Sequence, residues 1–466
     1  GNGRVIHSGS SNGGVRIECL DNTDYWDTHI AWGRRVVGGP YNDRFDTWLL
    51  LYNPSEEELP VDVRYLLPQD EPQTQTYVLA PHSRYTIGVD NYYIDDEVSM
   101  EVTSPAPGIV SERAMYFNYQ GWADGGHAAV GTSEASLQGY FAEGYTGSGF
   151  HTWLLLANPT DSEAQVEVTY LLEGGEPLVK TYRLAPSSRF TVLVNDVDGL
   201  PAGNVGMSYR SLNGVAVAAE RAVYFNYRNK RDGHCSQAIS ETSQKLYLAE
   251  GYTGGEFDTW ILLANPNQEP AEAEVSYPGQ GGENVTERRS VPPRSRLTIF
   301  AEDMVRDDSF GVTITSLNGM GIVAERAMYF NYGGGMRGGH CSAAIKEPRT
   351  SLCLAEGYTG GDFETWILLA NPNAEPARAS LTFAREGATE IVKDVTIPAL
   401  SRFSLRADDV PGLEACSFST RVDADVPLFM ERSMYFYYKG YSGGTNCPAL
   451  DGPSEHRFFA EGYTGG

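Results

Sequence analysis

A stretch of nineteen residues recurs along the chain and constrains the fold more than any other feature. Complete copies span Phe141–Pro159, Leu248–Pro266 and Leu354–Pro372, each with the letters AEGYTG followed by TW(L/I)LLANP. Partial copies lie at Phe45–Pro54 and Phe459–Gly466. The repeated tryptophan returns at intervals of 105, 107 and 106 residues. This period is the size of a small β-sandwich domain and is too long for a solenoid unit.

The repeat predicts several domains, as expected for 466 residues, because single cores stop growing well below that length. The two segments that flank the repeats are an arm and a strand with no domain of its own. The predicted boundaries are an N-terminal arm at 1–29, β-sandwich repeats 1 to 4 at 30–136, 137–243, 244–349 and 350–453, and a first strand of a further repeat, or a donor strand, at 454–466.

The second repeat has the strand pattern of a sandwich. Apolar and polar residues alternate in Gln165–Leu172, and a turn at Glu-Gly-Gly connects this predicted strand to a second one at Leu178–Leu184. The last two strands of the repeat are predicted to form a hairpin with a turn at Leu-Asn-Gly. Seven short strands in about 100 residues, with no helical period, are typical of an immunoglobulin-like sandwich. The predicted fold class is therefore all-β: four tandem immunoglobulin-like β-sandwich domains of about 105 residues, an N-terminal arm and an orphan C-terminal strand.

Composition excludes several classes of function. The net charge of −26 argues against a nucleic-acid partner, because phosphate contacts require clustered Lys and Arg. No run of 18 apolar residues occurs, so no membrane span is predicted.

Charged residues recur at fixed places in every repeat. A Ser-Arg pair opens the fifth strand and a Glu-Arg pair sits in the last one. Neighbouring residues of a strand point to opposite faces, so each charge is expected to pair with another strand, for example Glu220 with Arg189 or Arg221 with Glu143. The predicted structural ion pairs comprise Arg84, Glu112, Arg113, Glu143, Arg189, Glu220, Arg221, Glu250, Arg296, Glu325, Arg326, Glu356, Arg402, Glu431 and Arg432.

The same recurrence argues against an enzyme, because catalysis needs one site with several roles held in geometry. No catalytic residue, cofactor or metal is therefore predicted. His127, His234 and His340 come one per repeat and far apart. The Tyr-Phe-Asn-Tyr stripes are expected to lie half in a core and half at a domain interface, with stacking on sugars as the alternative. The Gly-rich segment after each stripe reads as a linker.

Two further groups of residues leave alternatives open. The cysteines allow disulfides such as Cys341–Cys353 or Cys353–Cys416 in an oxidising compartment, or free buried thiols. The acidic loops are expected to be solvated turns, with calcium binding as the alternative. These loops are Asp90–Glu97, Asp196–Asp198, Asp303–Asp308 and Asp408–Asp409.

The pattern AEGYTG…F(D/E)TW(L/I)LLANP…SR…(A/S)ERAMYFNY…GGH resembles a repeat of secreted and cell-surface proteins of Gram-positive and related bacteria, over residues 30–466. Such repeats often lie beside cell-wall amidases or form surface stalks. The resemblance implies an extracellular, cell-surface, non-catalytic spacer or adhesive unit. Repeat 1 departs from the pattern at Val37–Asn42, which stands where the others have AEGYTG, and repeat 4 departs at Thr445–Cys447.

The unmatched ends suggest a polymer. Repeat 1 lacks its AEGYTG element, whereas residues 454–466 carry one without a domain, and an isolated strand needs partners for its backbone. We expect this segment to add as a strand to repeat 1 of the next copy, giving a head-to-tail filament in which Glu461 lies beside Arg84 or Arg113. The predicted polymer interface comprises Phe458, Phe459, Ala460, Glu461, Gly462, Tyr463 and Thr464.

Two readings compete with the filament. One is a cell-surface stalk or adhesin that binds cell-wall or surface glycans, and the other is the non-catalytic part of a cell-wall enzyme. The predicted partners are thus other copies of the chain or glycans.

Overall fold

The computed structural model describes residues 44–68, 70–93, 96–280, 283–385 and 388–465, together with the backbone of 4–8 and 15–19. The chain divides into two units, Gly1–Asn42 and Asp43–Gly466. In the first unit, β1 (Arg4–Ser8) and β2 (Val15–Cys19) form an antiparallel pair. The departure at Val37–Asn42 lies outside the described residues.

The second unit contains repeats 2, 3 and 4 and repeat 1 from residue 43 onward, and its described part is built of strands joined by turns. Repeat 1 contains β3 (Arg44–Asn53), β4 (Leu59–Leu66), β5 (Gln73–Leu79), β6 (Ser83–Gly88), β7 (Ser99–Thr103), β8 (Val110–Tyr119) and β9 (Ala123–Ala129). Repeat 2 contains β10 (Gln138–Phe141), β11 (Phe150–Asn158), β12 (Ala164–Leu172), β13 (Leu178–Leu184), β14 (Ser188–Leu193), β15 (Val205–Ser211), β16 (Ala218–Tyr227) and β17 (Lys230–Gln237).

Repeats 3 and 4 follow the same order. Repeat 3 contains β18 (Lys245–Leu248), β19 (Asp258–Asn265), β20 (Ala271–Pro278), β21 (Asn284–Val291), β22 (Ser295–Phe300), β23 (Val312–Ser316), β24 (Val323–Tyr332) and β25 (Met336–Ala343). Repeat 4 contains β26 (Arg349–Leu354), β27 (Asp362–Asn371), β28 (Ala377–Arg385), β29 (Ala388–Ile397), β30 (Ser401–Arg406), β31 (Phe418–Tyr438) and β32 (Tyr441–Pro448), and β33 (His456–Phe459) comes last. Short 3-10 turns lie at Val89–Asn91, Val194–Asp196, Ala301–Asp303 and Ala407–Asp409.

Each repeat is a sandwich of two antiparallel sheets. In repeat 2 the first sheet has the order β10-β15-β12-β13, and the second, here called the tryptophan sheet, has the order β14-β11-β16-β17. Repeats 1 and 3 have the same orders, and in repeat 4 the long strand β31 belongs to both sheets. The prediction of an all-β fold is confirmed.

Two details of the predicted strand plan are wrong. The Gly-rich segment is not a linker, because it forms a buried eighth strand (β9, β17, β25 and β32) of the tryptophan sheet. The Leu-Asn-Gly segment does not close a hairpin, since β15 and β16 lie in different sheets. Gly214 does adopt the left-handed conformation expected of a turn, with φ of 76°.

The tryptophan sheet is buried on both faces. In β11, Leu154 and Leu156 belong to the core of repeat 2, whereas Leu155 packs in a cluster with Met115 and Phe117 of repeat 1. Two-sided burial explains why this strand is a continuous apolar run rather than an alternating one. Neighbouring repeats therefore pack against each other through apolar interfaces and are not structurally independent domains.

The C-terminal strand pairs within its own chain. β33 is antiparallel to β7, with Phe459 opposite Met100, and Phe459 is fully buried in the core of repeat 1. Beyond it, the Val98 amide donates to the Gly462 carbonyl at 2.9 Å. The C-terminal strand of the same chain thus occupies the edge position beside β7 in repeat 1, which corrects the prediction that this strand is donated to the next copy.

Strand closure completes a ring of four repeats. The Gly-rich strands β9, β17, β25 and β32 pack side by side in this order, and β32 packs back on β9. Because each of these strands packs on the equivalent strands of both neighbouring repeats, the four repeats are arranged around a common axis with approximate four-fold symmetry. This ring is what positions all the sites below.

Candidate functional site: charge quartets and clefts between repeats

The recurring charges meet at the junctions between repeats. At junction 2/3, the Arg221 guanidinium lies 2.8 Å from Glu325 and 3.4 Å from Glu143. Arg296 of repeat 3 donates to the Gly144 carbonyl at 2.9 Å. The four side chains are all buried. We call such a set of two arginines and two glutamates a charge quartet.

Each junction has an equivalent quartet. The arginine of the Glu-Arg pair binds the glutamate of AEGYTG in its own repeat and the glutamate of the Glu-Arg pair in the next repeat. The quartets are Arg113, Glu461, Glu220 and Arg189 at junction 1/2; Arg221, Glu143, Glu325 and Arg296 at 2/3; Arg326, Glu250, Glu431 and Arg402 at 3/4; and Arg432, Glu356, Glu112 and Arg84 at 4/1.

The quartets contain all fifteen residues of the predicted ion pairs, and Glu461 is the sixteenth. The Arg221–Glu143 pair forms as expected. Glu220, however, binds Arg113 at 2.6 Å, and Arg189 lies 3.4 Å from Glu97 instead. Glu461 lies 2.9 Å from Arg113, one of the two arginines proposed for it, although in its own chain rather than in a neighbouring copy.

Strand alternation explains how one dipeptide joins two junctions. Glu220 points to repeat 1, where its carboxylate also accepts the Ala460 amide at 3.0 Å. Arg221, the next residue, points to repeat 3. Because neighbouring side chains of a strand leave opposite faces, each Glu-Arg pair links its repeat to both neighbours.

Pairing within a quartet opposes the effect of burial on the pKa values of its members. Burial alone would lower the pKa of Arg113, but Glu220 and Glu461 outweigh it and raise the pKa above its ordinary value. Burial raises the pKa of Glu143, and Arg221 and Arg296 oppose that rise. Removing one member of such a set leaves an uncompensated buried charge, which typically costs about 3–5 kcal/mol. The quartets therefore act as structural cross-links.

The three histidines are closer together than the sequence suggested. His127 and His340 both lower the pKa of His234, after the larger effects of burial and Arg221. Burial lowers the pKa of all three well below the ordinary value, so each imidazole is neutral. Thr445 stands at the corresponding place of repeat 4.

One set of metal-type ligands occurs among the described residues: His127, Cys235 and Glu461, whose ligand atoms lie within 4.8 Å of one another. The guanidinium of Arg113 lies 3.2 Å from the Cys235 sulfur and 2.9 Å from Glu461. A dication would have to share this pocket with a fixed positive charge. The set therefore does not fit a metal ion.

The five cysteines whose side chains are described are all free thiols, so neither Cys341–Cys353 nor Cys353–Cys416 is bonded. Cys235 and Cys341 occupy equivalent positions, opposite Ala222 and Ala327, whereas Cys447 lies opposite Arg432 and so faces the other way.

Acids of the 3-10 turns bind backbone rather than solvent. Asp90 accepts the Thr47 amide at 2.7 Å, and Glu302 accepts the Thr259 amide at 2.7 Å. Burial raises the pKa of Asp90 to about 6 and that of Glu302 to about 7. Asp90 and, in repeat 4, Asp408 thus fasten their turns to the adjacent tryptophan strand, which corrects the expectation of solvated turns for these two loops. In the other two loops Asp196, Asp198 and Asp303 are exposed, as expected of solvated turns.

Clefts open beside three of the quartets. They lie at junctions 2/3, 3/4 and 4/1 and have volumes of about 360, 420 and 440 Å³ respectively. Each is lined by the tyrosine of AEGYTG and the following phenylalanine from one repeat, and by the tryptophan and the Ser-Arg arginine from the next. The volumes are in the range of small-molecule sites.

Cleft 3/4 combines aromatic faces with a buried donor. Tyr332 stacks on Tyr435 with centroids 4.0 Å apart, and the Trp366 indole donates to the Tyr332 hydroxyl at 3.3 Å. Glu250 and Arg402 also line the cleft. The Nε groups of Arg402 and of the equivalent Arg296 both have no hydrogen-bond acceptor among the described residues, although Arg296 Nε lies 3.8 Å from a Glu173 carboxylate oxygen.

Junction 1/2 differs from the other three junctions in its aromatic side chains, which pack against one another there. Trp122 contacts His151 and Tyr119 with ring centroids 5.0 and 5.4 Å away, and Tyr119 forms a 2.7 Å hydrogen bond with His151. The loop that carries Trp122 corresponds to three consecutive glycines, 333–335, in repeat 3.

The comparisons with known proteins give no family. No protein-family model and no curated protein matches the chain. Similar solved structures include Thermotoga maritima 1070 (18% identity, 23% of this chain and 97% of that chain, TM-score 0.22). A second is the Anabaena sensory rhodopsin transducer (22% identity, 18% of this chain and 87% of that chain, TM-score 0.17). A third is a tetra-tandem repeat in the extending region of a large adhesion protein (11% identity, 86% of this chain and 93% of that chain, TM-score 0.13). At these scores the likenesses carry no argument about function.

The helical segments of the described residues are 3-10 turns of three residues, and none of them could cross a bilayer.

Proposed function

We propose that this chain is a non-catalytic binding module of the cell surface, in which a closed ring of four repeats presents clefts to a sugar residue of a glycan. The observation that carries the proposal is the recurrence of one aromatic and polar cleft at successive junctions. The extracellular setting follows from the resemblance of the repeat to surface proteins.

The chemistry of cleft 3/4 suits a hydroxyl-rich ring. The apolar face of a sugar packs on flat aromatic side chains such as Trp366, which keep their polar edges at the rim. The Arg402 Nε donor gives a ring hydroxyl a partner. Asn331, which also lines the cleft, has an amide oxygen without a donor among the described residues.

The absence of catalysis is part of the proposal. The carboxylates at the floor of the clefts are engaged: Glu250, for example, lies 3.0 Å from Arg326 and accepts from Ser433 and Asn446. A general acid or base needs a free proton site within reach of substrate. The quartets offer repeated structural pairs rather than one such site.

The test measures the binding of soluble sugars and cell-wall glycan fragments to the protein by calorimetry and by tryptophan fluorescence. Trp366→Ala should abolish the site in cleft 3/4 alone, so calorimetry should count one site fewer than in wild type. Loss of an aromatic stacking partner costs about 1–3 kcal/mol when the ligand is a nucleobase, which corresponds to a loss of affinity of roughly 5- to 150-fold at that cleft. Trp153→Ala, at the equivalent position of junction 1/2, is the matched control and should leave affinity unchanged.

Thermal unfolding of both variants shows that the comparison is between folded proteins. No saturable binding of any sugar class, or equal loss in both variants, would reject the glycan site. The ring would then be a structural module alone.

A further inference from the structure

A single carboxylate sits where the four repeats meet at the ring axis. Asp232 Oδ1 accepts the amides of Gly126 at 3.0 Å and Gly233 at 2.8 Å. Its Oδ2 accepts the amides of Gly339 at 3.1 Å and Gly444 at 3.2 Å. These four donors come one from each repeat, and Asp232 is completely buried.

The other three repeats have glycine at the position of Asp232, namely Gly125, Gly338 and Gly443. A Cβ atom placed on any of them would overlap the Asp232 carboxylate. None of the three has a positive φ, so the backbone itself would accept a side chain there. There is therefore room for one carboxylate at the axis, and any one of the four equivalent positions, one in each repeat, could carry the side chain that supplies it.

The surroundings shield this carboxylate from water. Four phenylalanines from the Tyr-Phe-Asn-Tyr stripes lie against the glycines that donate the amides, each from the preceding repeat in the ring. They are Phe117, Phe225, Phe330 and Phe436, all completely buried. Convergent backbone amides in such a concavity form a site for an anion.

We propose that the ring axis is an oxyanion-binding site made of four backbone amides, that the Asp232 side chain is its built-in ligand, and that a small monovalent oxyanion such as formate, acetate or nitrate occupies it when that side chain is removed. The bound carboxylate ties the four repeats together at one point. The site depends on the closed ring and not on any single repeat.

The experiment measures thermal unfolding of the wild-type chain and of Asp232→Gly while formate, acetate or nitrate is added at constant ionic strength, with a bulkier sulfonate as the balancing anion. Asp232→Gly should have a lower Tm than wild type, and the Tm should rise saturably with formate because a ligand of the folded state stabilises it. The wild-type Tm should stay constant. Calorimetry should detect formate binding to Asp232→Gly only.

A second variant keeps the proposal testable if Asp232→Gly does not fold. In Asp232→Gly with Gly338→Asp, the carboxylate is moved to the equivalent place in repeat 3. This chain should fold, regain the wild-type Tm to within a few degrees and lose the response to formate. Gly338→Asp alone places two carboxylates at the axis and should lower the Tm.

Three outcomes would overturn the proposal. The first is an Asp232→Gly chain as stable as wild type without added anion. The second is an equal response of both chains to formate. The third is a double variant that remains as destabilised as Asp232→Gly.

Discussion

Removing the closing strand should open the ring at one known place. In a chain that ends at Gly452, repeat 1 loses β33, the buried Phe459 side chain and the Glu461 carboxylate. Loss of a buried Phe side chain typically costs about 3–5 kcal/mol. The loss of one of the two carboxylates bound to Arg113 adds about 3 kcal/mol, at the lower end for buried pairs because Glu220 remains.

Together these losses are on the order of 6–8 kcal/mol, which is comparable with the whole stability of a typical domain. We therefore expect repeat 1 to unfold locally while repeats 2 and 3 keep their structure. Hydrogen exchange read by mass spectrometry measures this directly. Amides of β7 (Ser99–Thr103) should lose protection, and those of β15 (Val205–Ser211), the equivalent strand of repeat 2, should keep it.

A synthetic peptide of residues 453–466 should restore the protection of β7, because it supplies the same strand in trans. The same peptide with Phe459→Ala and Glu461→Gln is the matched control and should fail to do so. Unchanged protection of repeat 1 in the shortened chain would refute the closure. So would full-length chains that assemble into larger species as concentration rises, since the strand would then enter another copy.

Two further predictions concern the buried charges. Arg326→Met should destabilise the fold by about 3–5 kcal/mol in urea unfolding, because Glu250 and Glu431 are left buried and unpaired, whereas Arg349→Met, at an exposed pair, should cost about 0–1 kcal/mol. Equal effects would show that the quartet is not a cross-link. His340→Thr should reduce the acid sensitivity of the protein. The pKa of His340 is lowered in the folded state, so its contribution to the free energy of unfolding is present above the unfolded-state pKa near 6.5 and is lost as the pH falls below it. Between pH 6.5 and 5.5 the free energy of unfolding should therefore fall by about 1 kcal/mol more in wild type than in the variant. Parallel pH profiles of the two proteins would contradict this.

Much of the fold could be predicted from repetition and alternation. The 106-residue period gives the number of repeats, and Asn-Pro marks the end of each tryptophan strand. In the structure the Asn371 amide donates to the carbonyls of Glu375, Ile397 and Pro398, which fixes the turn that follows. The charges that repeat in every copy are predicted to be structural, because a single active site has no reason to recur.

The closed ring was harder to predict, although two signals were present. An unbroken apolar run such as Leu154–Leu156 indicates a strand buried on both faces, and hence a neighbour on its second face. The paired glycines of β9, β25 and β32 are typical of close backbone approach rather than of a linker. Periodicity within one repeat says nothing about where the next repeat lies, so neither signal names the partner.

The sequence by itself determined the repeat, the sandwich and the identity of the charged residues, because strand alternation and turn chemistry are local properties of the chain. Only the tertiary structure decided which charges meet and where the last strand goes. Glu461 reaches Arg113 across 348 residues, and four amides far apart in sequence converge on Asp232. Such contacts depend on closure of the ring, and closure is set by the burial of apolar faces between repeats rather than by any local pattern.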